Sequence, residues 1–446
     1  MMKAKTIKIQ NFKCFRSVVI DNLSDQFNLF IGDNGEGKTT LLDALASVLD
    51  SFVSTLTNQP ELNQQKLQED WVRRVTQKLG EETKVESQYP LIIEYSGLIE
   101  NENISWERSI TDHNKNTKSK VVKPAEKLKS ALEKGNEIDL PLIAYYRNNR
   151  LWKTKDQDNY NGTTNRLSGY INSLNAGRTI TQLTGWLSHK FQEELKTEAS
   201  SPILTVVKEA VSSCLDEWNN LQYRPGESSQ GIVAISSSQQ ILPLHLLSDG
   251  YRNVLTIVAD IAYRASLLNP HLGENAAKET SGMVLIDEID LHLHPKWQEK
   301  VIADFSKTFP NIQFFATTHS PLIIQSLHNG KLIKLKAQSV NVSDDNEDTY
   351  EYIAADTYRD QSPEDILEEV MDKETPQKSK KYREMLEISK QYYELLDQAK
   401  ESKNDENQET LKDIKEKLDK LSALYGDNPA YYGFLEHQRR ATGIDN

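Results

Sequence analysis

The chain holds 446 residues, 37% hydrophobic and 27% charged, and its 53 basic against 66 acidic side chains leave a formal charge of −13. That describes a globular protein of two or three units with a polar surface; no apolar run nears the roughly 20 residues that span a bilayer, and the opening M-M-K-A-K-T-I-K-I-Q lacks a secretory signal's apolar stretch. Cys14 and Cys214 are the only cysteines, so a disulfide framework is excluded and the expected compartment is the cytoplasm, while the acidic balance weakens the case for a dedicated duplex-DNA binder without removing a local basic stripe.

The first predicted element, K-T-I-K-I-Q-N-F-K-C-F at 5–15, alternates polar and apolar residues as a strand and turns at Asn11. Residues 27–31 read as a short buried strand that feeds G-D-N-G-E-G-K-T-T. This meets the phosphate-binding pattern G-x-x-x-x-G-K-[ST] at Gly32, Gly37, Lys38 and Thr39, with Asp33, Asn34, Gly35, Glu36 and Thr40 completing the loop. Leucine and alanine at helical spacing from 39 to 49 predict the helix that follows. Strand, loop and helix in that order aim backbone N–H groups and the positive end of the helix dipole at phosphates. Lys38 is expected at the β- and γ-phosphates and the Thr39 hydroxyl on Mg²⁺. Asn34 is expected to tighten the loop by local hydrogen bonds.

Residues 57–82 are polar and predict helix; 90–95 and 104–110 predict strands of an antiparallel lobe, and 114–120 a basic loop. A strand over 140–146 precedes R-N-N-R-L-W. From 166 to 223 helical patterns dominate, an inserted arm without the sustained heptads of a long coiled coil. Trp152, Trp186 and Trp218 read as packing residues, with stacking on nucleic acid as the alternative.

Leu247-Ser248-Asp249-Gly250-Tyr251 opens an apolar-striped helix. Ser248 and Gly250 at that start offer a second anion site of backbone N–H groups and a hydroxyl, or simply a capped helix end. Residues 283–286 form an apolar strand ending in Asp287-Glu288. Asp287 is placed to hold Mg²⁺ and Glu288 to act as general base on water, against the plainer reading of an acidic strand cap. His292 and His294 form an H-x-H pair, but the remaining ligands of a tetrahedral zinc site are not evident. Pro295 predicts a helix start. Another strand, 312–316, ends in Thr317-Thr318-His319-Ser320. His319 is expected to donate to the γ-phosphate or the attacking water, while Ser320 caps a helix with Pro321 at its first position.

Residues 337–362 are polar with an acidic loop, S-D-D-N-E-D, and Pro363 begins a helix. Residues 376–424 predict a hairpin of two charged helices, a solvated face or a docking surface, and N-P-A-Y-Y-G-F-L-E gathers aromatics near the end.

Several segments carry a resemblance. N-F-K-C-F is similar to the start of ATPases of the SMC, RecF and OLD group, in which Arg16 would reach adenine or phosphate unless it is a solvated strand-end residue. L-S-D-G-Y resembles the ABC signature L-S-G-G-Q, departing at Asp249 and Tyr251. D-E-x-D-x-H-L-H-P is similar to the form in bacterial defence and OLD-type ATPases, and P-x-x-A-Y-Y-x-x-x-R at 141–150 to a segment of Septu-type and retron-associated defence ATPases. Together they resemble the AAA15/21-type branch of ABC ATPases.

The resemblance implies an α/β fold: an ABC-type P-loop head with an antiparallel β lobe, an inserted helical arm and a C-terminal helical extension. Its parts would be 1–150, 151–230, 231–336 and 337–446. It implies a homodimer or higher oligomer with ATP and Mg²⁺ between subunits. Residues 32–40 of one subunit would face Ser248, Asp249 and Gly250 of the other, with Thr39 and Asp287 on the metal and Lys38, Glu288 and His319 catalytic. The implied partner is an HNH-type effector nuclease or retron components, with nucleic acid reached through the complex and no membrane. About 120 residues after His319 are few for the Toprim nuclease domain of OLD proteins, and Asp344-Asp345 sits in a polar loop. Two rivals are a RecF-like repair ATPase that binds DNA directly and a transporter's nucleotide-binding subunit. The N-F-K-C-F start, the insertion at 41–246 and the D-x-H-L-H-P turn oppose the latter.

Overall fold

The computed structural model describes residues 2–58, 67–79, 82–99, 102–111, 117–119, 122–148, 165–174, 179–198, 200–215, 217–218, 220–226, 231–336, 349–354, 358–359 and 361–371, with isolated positions 388, 391, 392, 414 and 417. The chain divides into two compact units, Met1–Ile366 and Leu367–Asn446.

In the first unit, β1 (Met2–Phe12) folds back on β2 (Phe15–Ile20) through a turn where Asn11 and Lys13 take φ of 49° and 48°. Next come β3 (Phe27–Ile31) and α1 (Lys38–Thr57), joined by the glycine-rich loop. By length and composition α1 is apolar enough to cross a membrane, yet most of it is buried inside the unit. A ribbon of β4 (Arg74–Leu79) and β5 (Glu82–Ser87) follows. Then β6 (Leu91–Ile99), β7 (Glu102–Ile110) and β8 (Thr117–Ser119) complete an antiparallel sheet in the order β2-β1-β6-β7-β8. Helix α2 (Val122–Glu133) packs on α1.

Strand β9 (Leu142–Tyr146) is followed by α3 (Thr179–Thr197), α4 (Pro202–Cys214) and a small sheet of β10 (Asn220–Tyr223), β11 (Ile232–Ile235) and β12 (Ile241–Pro243). The helical pattern expected to 223 thus gives way to a strand at 220, and that sheet crosses the arm boundary expected at 230. The long α5 (Asp249–Leu268) and short α6 (Ala276–Glu279) return the chain to β13 (Gly282–Ile286). After α7 (Pro295–Gln298) and α8 (Val301–Thr308), β14 (Ile312–Thr317), α9 (Pro321–Gln325), β15 (Gly330–Lys336), β16 (Thr349–Ile353) and α10 (Pro363–Asp365) finish the unit.

The core is a six-stranded sheet in the order β16-β15-β3-β14-β13-β9. All neighbours are parallel except β15 and β16. Every residue of β3, β9, β13 and β14 is buried, as expected of parallel strands covered on both faces. The Phe27 and Phe314 rings stack at 4.7 Å across the β3–β14 pair. Burial of each such ring contributes roughly 1.5–3 kcal/mol. Trp186 of α3 is buried with its ring 4.1 Å from that of Tyr263 on α5, so it packs the arm against that helix, and Trp218 is buried too. Trp152 lies outside the described residues.

Three further expectations are corrected. Helix expected over 57–82 is overturned where the chain is described: α1 stops at Thr57, and Arg74–Leu79 and Glu82–Ser87 pair as the β4–β5 ribbon, while 59–66 lie outside the described residues. The ribbon is polar in composition, with Val75 buried but Val85 59% exposed, so no alternation marks it as strand. The loop expected at 114–120 holds β8, a short edge strand paired with β7 through Arg108↔Ser119 and Ile110↔Thr117. The head does not end at 336: β16 pairs with β15, Tyr358 and Ile366 are buried, and the unit runs to Ile366. Of the second unit only 367–371 and the isolated positions 388, 391, 392, 414 and 417 are described; the rest of the expected 376–424 hairpin lies outside the described residues, as does Asp344-Asp345 between β15 and β16.

Candidate active site

Because β3, β14, β13 and β9 are parallel, their C-terminal ends lie along one edge of the sheet. That edge is where open α/β sheets bind ligands. It receives the loop after β3, the acidic pair after β13, His319 after β14 and Arg147-Asn148 after β9.

The phosphate-binding loop is shaped by its glycines. Gly37 has φ 93° at the N-cap of α1, and a Cβ there would lie 2.6 Å from the Phe15 ring and 2.8 Å from Cys14 Sγ. The β1–β2 hairpin therefore packs directly on the loop, which explains why N-F-K-C-F sits beside it. Lys38 Nζ donates to the carbonyls of Gly32 and Asp33, both at 2.9 Å, folding the ammonium over the loop. Burial lowers the Lys38 pKa, opposed by the negative charges of Glu36, Asp287, Asp33 and Glu288. Asn34 does not tighten the loop; its side chain makes no hydrogen bond among the described residues. Glu36 does so, accepting the Asp33 N–H at 2.5 Å, because its longer side chain reaches back across the turn. Glu36 thus braces the loop.

Asp287 is 1% exposed. It accepts the Thr39 hydroxyl at 3.1 and 3.0 Å and the Thr317 hydroxyl at 2.8 Å. Its own N–H donates to the Tyr146 carbonyl at 2.8 Å, extending the β9–β13 ladder. Burial raises the Asp287 pKa; the two hydroxyls oppose that rise, and the charges of Glu288 and Asp43 add to it. Such a carboxylate favours a positive neighbour. Carboxylate and hydroxyl oxygens, from Asp287 and Thr39, are the donors a hard cation such as Mg²⁺ takes. Glu288 holds φ 50°, a left-handed conformation that costs a non-glycine residue of order 1–3 kcal/mol. Its N–H donates to Thr317 Oγ1 at 2.7 Å, and Oε1 accepts Asn148 Nδ2 at 3.4 Å.

The turn after Glu288 joins the other motifs. Thr318 Oγ1 donates to Asp290 at 2.5 Å and Asn253 Nδ2 to the Leu291 carbonyl at 3.1 Å. A Cβ on Gly250 would lie 2.4 Å from the His292 carbonyl oxygen, so the start of α5 abuts this turn. His294 caps α7 by accepting the Lys296 N–H. Half-buried His319 leaves β14 beside Thr318, and Ser320 caps α9 with Pro321 at its first position.

Lys38, Thr39, Asp287 and Glu288 are brought together in one chain; Ser248, Asp249 and Gly250 are not among them. Those three make no hydrogen bond to residues 32–39 among the described residues. Ser248 occupies the N-cap position of α5 without its hydroxyl capping the helix, and Asp249 pairs with Arg252. Arg252 is one residue that sequence reasoning passed over. Others are Thr317, Asn148 and a cluster around Asp43, which binds Lys13 at 2.7 Å and Arg147 at 2.6 Å. Asp43 was discoverable: it lies four residues after Thr39, on the same helix face, inside an otherwise apolar run.

A buried parallel sheet, a glycine loop capping a helix, and a strand-borne carboxylate on that helix's threonine define an α/β P-loop ATPase head. The chain belongs to the AAA_21 family, described as "AAA domain, putative AbiEii toxin, Type IV TA system", whose sequence model matches residues 27–325. It is similar to "Retron Vc95 probable ATPase" of Vibrio cholerae serotype O1 biovar El Tor, 26% identical over 73% of this chain and 72% of that one. It is also similar to "Septu protein PtuA" of Bacillus thuringiensis, 24% identical over 96% of each. Among solved structures, the SMC head domain from Thermotoga maritima aligns at TM-score 0.43 and 14% identity, covering 76% of this chain and 97% of that one.

Proposed function

We propose that the protein binds and hydrolyses ATP at a seam between two copies of the chain, in the cytoplasm, and that this cycle governs an effector nuclease in defence against phage. The observation that carries it is the division of the site. Among the described residues Ser248, Asp249 and Gly250 make no hydrogen bond to residues 32–39 of the same chain, and the Ser248 hydroxyl does not cap α5, which leaves that hydroxyl and the helix start for phosphates bound by a second copy. Exposed Leu246, beside the motif, fits a surface that a second copy covers. Similarity to the retron ATPase and to the Septu protein supports the defence role, with an HNH-type nuclease or retron components as partner and nucleic acid met through the complex.

Each residue then has a task. Thr39 and Asp287 would hold Mg²⁺, which when bound neutralises charge on phosphate oxygens. Lys38 would exchange two neutral carbonyl partners for phosphate oxygens, a stronger, charge-assisted pair. Backbone N–H groups of the 32–40 loop cradle the phosphates. Glu288, steadied by Asn148 and Thr317, takes the proton of the attacking water, and His319 donates towards the γ-phosphate. Ser248 and Gly250 of the second copy close the pocket, while Arg252 offsets the charge of Asp249.

Glu288→Gln keeps the shape of the site but removes the base. Hydrolysis should fall by about 10²–10⁴-fold, and light scattering with ATP and Mg²⁺ should show a stable dimer. Unchanged hydrolysis, or a monomer at every ATP concentration, would refute the proposal.

A further inference from the structure

Successive residues of a strand face opposite sides of its sheet, and β9 carries a tyrosine on each. Tyr145 donates its hydroxyl to Asp43 at 3.1 Å, on α1, the helix that begins at the phosphate-binding loop. Tyr146 donates to Asp260 at 2.6 Å, on α5, the helix that begins at Ser248. All four side chains are buried. Filling the core alone would need only phenylalanine rings, since burying a hydroxyl is costly unless it is hydrogen-bonded.

Both aspartates are anchored further. Asp260 accepts Arg264 Nε at 2.7 Å, and Arg264 NH1 donates to the carbonyls of Gly169 and Ile171 at 2.7 and 3.1 Å. Asp43 holds Lys13 from the β1–β2 turn and Arg147 from the end of β9. The same strand end reaches the reacting groups: the Tyr146 carbonyl accepts the Asp287 N–H at 2.8 Å, and Asn148 donates to Glu288. One dipeptide therefore joins the phosphate-loop helix, the signature-like helix and the Asp287 backbone.

We propose that Tyr145 and Tyr146 are positioning residues that couple a nucleotide site to the helix serving the second site, so that a dimer hydrolyses its two ATP molecules cooperatively. This rests on the shared-site reading above. A shift of α1 on loading one site passes through Asp43, the tyrosine pair and Asp260 to α5, whose N-terminus meets the other copy's phosphates. Neither tyrosine touches nucleotide, so binding itself is spared.

Tyr146→Phe removes one hydroxyl and keeps the ring; Asp260 retains Arg264, so no buried charge is left alone. Its KM for ATP should stay within about twofold, its kcat should fall about tenfold, and its Hill coefficient should drop from near two towards one. Tyr170→Phe removes another buried hydroxyl nearby, one that donates to the Pro141 carbonyl at 2.7 Å. It should lower Tm and leave kcat and the Hill coefficient alone. The proposal is overturned by a folded Tyr146→Phe with wild-type kcat and Hill coefficient, by a wild-type Hill coefficient of one, or by Tyr170→Phe giving the same losses. If Glu288→Gln dimerises on ATP while Tyr146→Phe is silent, coupling alone falls. If Glu288→Gln stays monomeric, the shared site falls and coupling with it.

Discussion

At the scale of single residues, Asp287 serves two opposed needs. The proposed hydrolysis requires it ionised beside Thr39, while burial favours its neutral form. With its folded pKa above the unfolded value, the folded state binds more protons between the two, so stability falls as pH rises through that window. At pH 7.5 the full penalty is present. Asp287→Asn should therefore have a higher Tm than the wild type without nucleotide, lose that advantage as pH is lowered through the carboxylate range, and show no Mg²⁺-dependent hydrolysis. A lower Tm at pH 7.5 would show that the hydroxyl bonds outweigh desolvation. Lys38, Thr39, Asp287 and Glu288 were legible because their chemistry is written in local spacing. Thr317, Asn148 and Arg147 were not, because each acts through a residue more than a hundred positions away or on a neighbouring strand. Asn34 and Glu36 exchanged roles for a reason of reach that composition does not reveal.

At the scale of elements, the start of α5 shows how one motif serves two purposes. Gly250 is needed within its own chain, where only a hydrogen clears the His292 carbonyl oxygen. Gly250→Ala should push the 289–294 turn aside, weakening the Asn253–Leu291 bond. Expected is ATP binding close to wild type in a filter or fluorescence assay, with hydrolysis reduced about tenfold or more; full activity would mean that the turn yields without consequence. The parallel strands were readable because double-sided burial leaves continuous apolar runs, as in F-N-L-F-I and G-M-V-L-I. Phe314 lies between Phe27 and Phe305, so Phe314→Ala should cost about 3–5 kcal/mol by denaturant melt. A cost under about 1 kcal/mol would mean that the core collapses around the gap. The β4–β5 ribbon escaped notice because its composition is polar, with Val75 buried and Val85 exposed giving no regular apolar alternation.

At the scale of the whole molecule, order along the chain and order in the sheet differ, and that difference builds the site. Strands β3, β14, β13 and β9 are neighbours in space although they span residues 27 to 317 in sequence. The true end of the first unit was hidden because β16 follows a polar, acidic stretch that reads as linker, yet its register with β15 extends the sheet. The helices α3 and α4 were readable in their periodicity, the strand β10 after them was not, and Trp186 ties α3 to α5. In the proposed reading each chain supplies one half of a catalytic pocket at this sheet edge and the complementary half at the start of α5.

Mixing two dead variants tests that claim most directly. Lys38→Ala removes the phosphate-binding side and Ser248→Arg blocks the closing side, so each pure homodimer has no intact pocket. Random pairing makes half the dimers mixed, each with one intact pocket of two, so an equimolar mixture should recover about a quarter of wild-type ATPase activity if the pockets act independently and about a tenth of that if they are coupled, in either case well above the components. A mixture as inactive as its components, from two variants that each still dimerise, would contradict a shared site.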